Sequence, residues 1–267
     1  MLNLRTYQHS PLQTLLILLI FTFSFFQASL CHADIWSGLV GWWKFDESSS
    51  GTCAGATVVD ANNHGHTGTC SGSPTYEKGR IGRGAMNYQG TNNVNLGTSL
   101  PLTGLFSVSA WVKPTSACLA PTQGCGFVGN AEWNVGGFHL GWYSSDVFDF
   151  AWNYSGSNIV LGVKTSSYFS ANTWAHVVGV FDGSHNYVYI NGILAMSGVA
   201  SIAPGSTSNN LFIGKDPQGG WSSPQFSGSI DDVRIYNRAL SAADVSMLYL
   251  YGTVTLRNST WRNFKTY

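Results

Sequence analysis

Charge is scarce in this chain. Asp, Glu, Lys and Arg together make up 10% of 267 residues, with 13 basic against 13 acidic side chains, whereas an average soluble domain carries about 25%. No stripe of Lys and Arg exists to neutralise a phosphate backbone, which excludes nucleic acid as the main partner. Nor is there a block of like charge to hold the chain unfolded, since 44% of residues are hydrophobic. Glutamate is rarer still: beyond Glu77 only Glu132 follows. A Cys-x-x-Cys pair is missing, and His64 and His66 lack the usual zinc spacing. No Gly-x-Ser-x-Gly elbow follows a buried strand, which argues against a serine hydrolase. What is abundant is aromatic side chains (14%) and glycine (31 residues), alongside much Ser, Thr and Asn. That composition predicts short strands joined by turns, an all-β protein working outside the cytosol.

One long apolar run exists, Leu12 to Phe26, and Arg5 is the only charge before Asp34. A basic start, an apolar core and a small residue at the end are the marks of a secretory signal. Cys31-His32-Ala33 puts cleavage after Ala33. The run is shorter than the ~20 residues that a membrane helix needs. No second run of spanning length follows, so no membrane span is expected after cleavage. The predicted organisation is a signal at 1–33, one domain over 34–252 and a tail over 253–267. The tail carries Arg257, Arg262 and Lys265 and reads as a loose segment or a last edge strand. With Cys31 lost, four cysteines remain, and four allow three connectivities. Proximity favours Cys53–Cys70 and Cys118–Cys125, each stapling a Gly/Ser/Thr-rich loop as suits an oxidising compartment.

Alternation is the strongest pattern along the chain. Phe106, Val108, Ala110 and Val112 share one face against Ser107, Ser109 and Trp111. Val188 and Ile190 oppose Tyr187, Tyr189 and Asn191. Phe138, Leu140 and Trp142 oppose His139 and Tyr143, while Phe148, Phe150 and Trp152 oppose Asp149 and Asn153. One apolar and one mixed face per strand predict a two-sheet antiparallel sandwich with the mixed faces outward. Further strands are expected near Leu39–Asp46, Gly84–Tyr88, Trp174–Phe181, Leu211–Gly214 and Phe226–Tyr236. One short C-terminal helix interrupts them. Ser241 and Asp244 form a capping box, Val245, Leu248 and Tyr249 repeat at helical spacing, and Gly252 is a natural stop.

Four segments then carry a family likeness. Gly38-Leu39-Val40-Gly41-Trp42-Trp43-Lys44-Phe45-Asp46 resembles a first strand, and Phe106-Ser107-Val108-Ser109-Ala110-Trp111-Val112-Lys113-Pro114 a central one. Trp174-Ala175-His176-Val177, Phe181-Asp182-Gly183 and Val188-Tyr189-Ile190-Asn191-Gly192 match the next hairpin. The run from Phe226 through Ile230-Asp231-Asp232-Val233-Arg234-Ile235-Tyr236 to Ser241 looks like a closing strand and helix start. In this order they resemble the laminin-G-like (LamG-like) jelly-roll domains of the concanavalin A-like lectin/glucanase superfamily. The resemblance implies a jelly-roll sandwich, commonly an extracellular recognition module, often with a structural calcium. It also implies packing roles for Trp43, Trp111 and Trp174, with His176 a structural neighbour. In the family, an Asp-x-Ser-Gly-Asn loop meets the closing strand's Asp at the ion. Here that loop is Asp60-Ala61-Asn62-Asn63-His64-Gly65, which keeps Asp60 and puts Asn62 at the Ser position. Asp60, Asn62 and Asp231 are thus the expected calcium ligands, with Asp231 turned inward alongside Val233 and Ile235. Calcium takes six to eight oxygens, carbonyls included.

Fold likeness does not settle function. Glycoside hydrolysis needs two carboxylates facing one bond. Asp231 and Asp232 are adjacent, and Asp146 and Asp149 are three apart, so strand parity sends each pair to opposite faces. A non-catalytic recognition or adhesion module is therefore expected. Its preferred partner is an extracellular glycan, then a protein surface or cell-envelope structure, and last comes a glycan-cleaving hydrolase. Sugar sites combine an aromatic platform with a few polar groups. The candidates are His139, Tyr143, Asp149, Asn153, Tyr187, Tyr189 and Asn191 on the mixed faces, with Trp133 and Trp221 on rim loops.

Overall fold

The computed structural model describes residues 34–254 except 90, 99, 101, 103, 120–124, 132–134, 145–146, 155–156, 201 and 216–225. The expected signal at 1–33 and nearly all of the expected tail therefore lie outside the described residues. The chain opens with β1 (Leu39–Trp43), β2 (Gly51–Thr52), β3 (Thr57–Val58), β4 (Gly68–Ser71), β5 (Thr75–Lys78), β6 (Gly84–Tyr88), β7 (Asn93–Thr98) and β8 (Phe106–Pro114). After a short helix α1 (Ser116–Leu119) come β9 (Cys125–Gly129), β10 (Phe138–Ser144), β11 (Val147–Tyr154), β12 (Ser157–Lys164) and β13 (Ala175–Phe181). Then follow β14 (His185–Ile190), β15 (Ile193–Val199), β16 (Asn210–Ile213), β17 (Gly228–Tyr236) and helix α2 (Ala242–Thr253).

The strands form two antiparallel sheets. One has nine strands in the order β15-β14-β13-β8-β17-β6-β5-β2, with β1 also paired to β17. The other has eight, in the order β12-β11-β10-β9-β16-β7-β4-β3. This is the expected jelly-roll sandwich. Alternation explains the core. Val108, Ala110, Val112, Val177 and Val188 from one sheet meet Phe127, Phe138, Leu140, Trp142, Phe148 and Phe150 from the other. The Phe106 ring reaches across to Phe150 at 5.4 Å, and large buried aromatics dominate such cores energetically. Both expected disulfides are formed, Cys53–Cys70 and Cys118–Cys125.

Three expectations need correction. The mixed face of the nine-stranded sheet is not turned to solvent over its whole length. Ser107, Ser109 and Trp111 are buried, because α2 and the segment before β1 form a third layer. Trp111 stacks on Tyr249 at 5.7 Å, and Ser107 Oγ donates to the Arg238 carbonyl at 2.9 Å. A second apolar cluster, including Ile35, Val178, Tyr236, Val245 and Leu248, fills this layer.

The capping box of α2 is present, with Ser241 and Asp244 bonded reciprocally, but Gly252 does not stop the helix. It lies in the last turn, where a Cβ would come within 2.4 Å of Trp111 Nε1. Packing requires that glycine rather than the helix terminus. Finally, Asp231 does not share the face of Val233 and Ile235. The register of β17 on β8 shifts between Asp231 and Arg234, and Asp232 adopts φ 50°. Such a bulge inverts strand parity. Ile230, Val233 and Ile235 all enter the core, while Asp231 pairs in register with Trp111 on the opposite side.

Candidate functional site

The outer face of the eight-stranded sheet follows from its registers. Thr57 pairs with Thr69, Thr69 with Asn95, Asn95 with Phe212, and Phe212 with Gly129. Gly129 pairs with His139, and His139 with Ala151. Residues paired directly across strands share a face, so this row runs transversely over the sheet. The flanking residues Val94, Leu211, Ile213, Val128, Phe138 and Leu140 all point to the core.

Phe212 is therefore an outward aromatic on a sheet whose other side is sealed. It is half-buried, and Lys215 Nζ stands 4.9 Å from its ring centroid, a cation–π distance. Asn95 beside it is half-exposed, its Oδ1 accepting from the Gly97 amide at 2.9 Å. Asn93, two residues earlier on the same face, is buried, with Oδ1 lacking a hydrogen-bond partner among the described residues. Gly129 leaves the space between Phe212 and His139 without a side chain. Two strand spacings, about 10 Å, separate these two side chains, and Gly129 between them is itself buried. An apolar ring with an ammonium and amides beside it offers stacking and hydrogen bonds.

His139 and Asp149 close the far wall. Their side chains approach at 3.3 Å, Nε2 to Oδ1, and both are buried. A carboxylate in such surroundings requires a partner, so the pair is a rigid wall rather than an exposed contact. Gly141, in register with Asp149, has no Cβ because the His139 Cε1 would lie 2.8 Å from it. The backbones of Tyr143 and Asn153 lie on β10 and β11 of this sheet, but their side chains are outside the described residues. Trp133 and Trp221 are outside them too.

Tyr187, Tyr189 and Asn191 lie on the other sheet and do not join this row. Tyr187 Oη donates to Asp182 Oδ2 at 2.8 Å. Tyr189 is buried in the layer under α2, and Asn191 Oδ1 accepts from the His176 amide at 3.0 Å. Trp43 and Trp111 are buried as packing residues, but Trp174 is only half-buried, with Lys113 Nζ 5.3 Å from its ring. Sequence reasoning missed Phe212, Lys215, Asn93 and Asn95. Alternation in Asn93-Val94-Asn95-Leu96 carries the asparagines, whereas the apolar triplet Leu211-Phe212-Ile213 conceals which of its members faces outward.

The expected calcium ligands fall into two separate hydrogen-bond networks. Asp60 Oδ1 accepts from the amides of Trp42 and Asn62, and Oδ2 from that of His66. Asn62 Nδ2 donates to the Leu39 carbonyl. These bonds organise the loop after β1. Asp231 Oδ2 accepts from the amides of Arg80 and Ile81 at 2.7 and 2.8 Å. Its Oδ1 is buried without a hydrogen-bond partner among the described residues. Burial, then the neighbouring Asp232, pushes the Asp231 carboxyl well above the usual range. The buried Oδ1 of Asp231 fits a cation, while Asp60 and Asn62 also take part in the hydrogen bonds of their own loop. Among the described residues no three His, Cys, Asp or Glu side chains gather around one point, so backbone carbonyls would complete any such shell.

The fold is that of a lectin-like jelly-roll domain. A family model for laminin-G-type domains of the concanavalin A-like lectin/glucanase superfamily matches residues 87–246, and the chain belongs to that superfamily. Among solved structures it is similar to domain 4 of AbnA, a GH43 extracellular arabinanase from Geobacillus stearothermophilus, in complex with arabinotriose. That likeness has 25% identity and TM-score 0.62, covering 79% of this chain and 98% of that domain. The receptor binding domain of botulinum neurotoxin D is similar at 16% identity and TM-score 0.60, over 81% of this chain. The binding domain of Paraclostridial Mosquitocidal Protein 1 is similar at 16% identity and TM-score 0.62. The chain spans 53% and 52% of those two toxin domains, which share its fold. No curated protein matches. No helix among the described residues is long and apolar enough to cross a membrane.

Proposed function

We propose that this chain is a secreted, non-catalytic recognition module that binds an extracellular oligosaccharide on the outer face of its eight-stranded sheet. The observation that carries the reading is Phe212, a half-buried aromatic ring on the outer face of the sheet, flanked by Lys215 and Asn95. A sugar ring stacks its apolar face on such a platform while amides and ammonium take its hydroxyls. The arabinotriose bound by the AbnA domain supports the ligand class. Two disulfides support an oxidising, extracytosolic setting. A calcium ion at Asp231 is part of the proposal, where it would neutralise a buried carboxylate and stiffen the turn at Arg80–Ile81.

A second reading, attachment to a protein surface, is favoured by one feature. The edge strand β15 exposes Ile193, Leu194, Met196 and Val199, and an uncharged edge is a template for another strand.

The test is an oligosaccharide array read with the wild type and Phe212→Ala. Binding by the wild type that falls at least tenfold in the variant, at an unchanged melting temperature, supports the sugar reading. A silent array with capture of a protein through β15 replaces it with the second reading. Reducing-sugar release that disappears in Asp149→Asn or Glu132→Gln would establish a hydrolase instead.

A further inference from the structure

On the opposite side of the sandwich, where β1 and β17 meet, Arg234 lies inside an aromatic box. Its Cζ is 4.5 Å from the Trp42 ring centroid, 5.5 Å from Trp36 and 5.2 Å from Tyr251. The guanidinium itself is fully buried, yet two walls of the box face solvent, with Trp36 54% and Tyr251 40% exposed. Nε and Nη2 of Arg234 donate to Asp232 Oδ1 at 3.2 and 3.1 Å. Nη1 makes no hydrogen bond of ordinary geometry among the described residues, although the Tyr236 hydroxyl interacts with the guanidinium. A buried donor left unmade is rare in a native fold and calls for an acceptor. The site's charges are already matched. Arg234 pairs with Asp232, and Lys44 pairs with Asp46 at 2.8 Å while lying 5.4 Å from the Trp42 ring.

We propose that the box formed by Trp36, Trp42, Tyr251 and Arg234 is a second binding site, for a neutral sugar residue, which makes the chain bivalent. The sugar stacks on the exposed rings of Trp36 and Tyr251, and one of its oxygens takes the buried Nη1–H once the Trp36 ring moves aside. A carboxylate or phosphate is disfavoured because both cations already have carboxylate partners, and a further anion would meet Asp232 and Asp46. Trp36 lies outside the strands, in the segment just before β1, so its ring can swing to admit a ligand without disturbing the sheet. The assignment of sugar as the ligand class rests on the function proposed above. Phe212 and Arg234 belong to different sheets and face opposite ways, so one molecule would hold two glycan strands together. Binding through two sites to an immobilised glycan raises apparent affinity by about 10²-fold or more over either site alone.

The experiment uses an array of immobilised neutral oligosaccharides, arabinotriose among them. It is read with the wild type, Phe212→Ala, the pair Trp36→Ala/Tyr251→Ala, and the combination of all three. Arg234→Lys serves as a further variant that keeps the pair with Asp232 and removes the guanidinium fork. Melting temperatures identify any variant that fails to fold. The expected result is that Phe212→Ala and the Trp36/Tyr251 variant each weaken binding about 10²-fold while retaining some, and that only the combination is silent. In the Phe212→Ala background, Arg234→Lys is expected to abolish what remains. If Phe212→Ala alone silences the array and the Trp36/Tyr251 variant binds like the wild type, the second site is overturned and the first stands. If the Trp36/Tyr251 variant alone is silent and Phe212→Ala is unchanged, the first site falls and this one stands. A wild type that binds nothing on the array, or a combined variant that still binds, overturns both.

Discussion

Acid is expected to loosen helix α2 from the nine-stranded sheet, and His176 is the group that responds. Its imidazole is buried between the sheet and the helix, with Nε2 hydrogen-bonded to Ser109 Oγ at 2.9 Å. Trp111 packs at 5.1 Å and Tyr249 at 6.2 Å. Burial, helped by the Arg234 charge, lowers its pKa from 6.5 to about 3. The unfolded chain takes up a proton near 6.5, whereas the native state resists until far lower. The stabilisation is therefore complete above pH 6.5 and is lost as pH falls from there towards 3. Over the whole window the loss is at most about 5 kcal/mol, at about 1.4 kcal/mol per pKa unit. Between pH 7 and 5 the share is about 2 kcal/mol. Urea unfolding at pH 7, 6 and 5, followed by tryptophan fluorescence, measures it directly. His176→Gln keeps a donor for Ser109 but cannot titrate, and the remaining histidines cancel in the comparison. The wild type should lose about 2 kcal/mol more than the variant across that range. Parallel pH profiles for the two proteins would refute the reasoning, because they would mean that His176 titrates normally in the fold.

Other perturbations probe separate parts of the structure. Gly252→Ala places a methyl 2.4 Å from Trp111 Nε1 and should cost about 1–3 kcal/mol by thermal melting, as overpacking does. An unchanged melting temperature would show that α2 can shift freely on the sheet. Removing Cys53–Cys70, which closes a 17-residue separation, should cost about 3 kcal/mol, and removing Cys118–Cys125, which closes 7, about 2.5 kcal/mol. Equilibrium denaturation of the two Cys→Ser pairs checks that order. Calcium is expected to raise the melting temperature over that in chelator, and Asp231→Asn to abolish the rise. In chelator the same substitution should stabilise the protein at neutral pH, because it removes a buried carboxylate whose pKa is raised. No calcium-dependent shift and no metal by elemental analysis would remove the ion from the proposal.

The sandwich was legible because most of its strands have one face in the core, and alternation records that directly. Alternation over Phe106–Val112 marks the strand that runs from Phe106 to Pro114. Parity fails where geometry, not composition, decides the side. A bulge at Asp231–Asp232 reverses it in β17, so both acids lie on the outer side, where Asp232 takes the Trp42 indole N–H at 2.6 Å and raises the pKa of Asp231. Nothing in the letters Ile-Asp-Asp-Val announces a positive φ. Phe212 fails for another reason: three consecutive apolar residues have no visible parity, and only pairing with Asn95 and Gly129 assigns its face. The Arg234 box is the extreme case. Its walls come from positions 36, 42 and 251, brought together because the closing strand pairs with the first and the helix then folds back over both. Sequence reading recovers what neighbours in the chain dictate. Both proposed binding faces are assembled from residues that become neighbours only after the sheets close, so nothing in the order of the sequence brings them together.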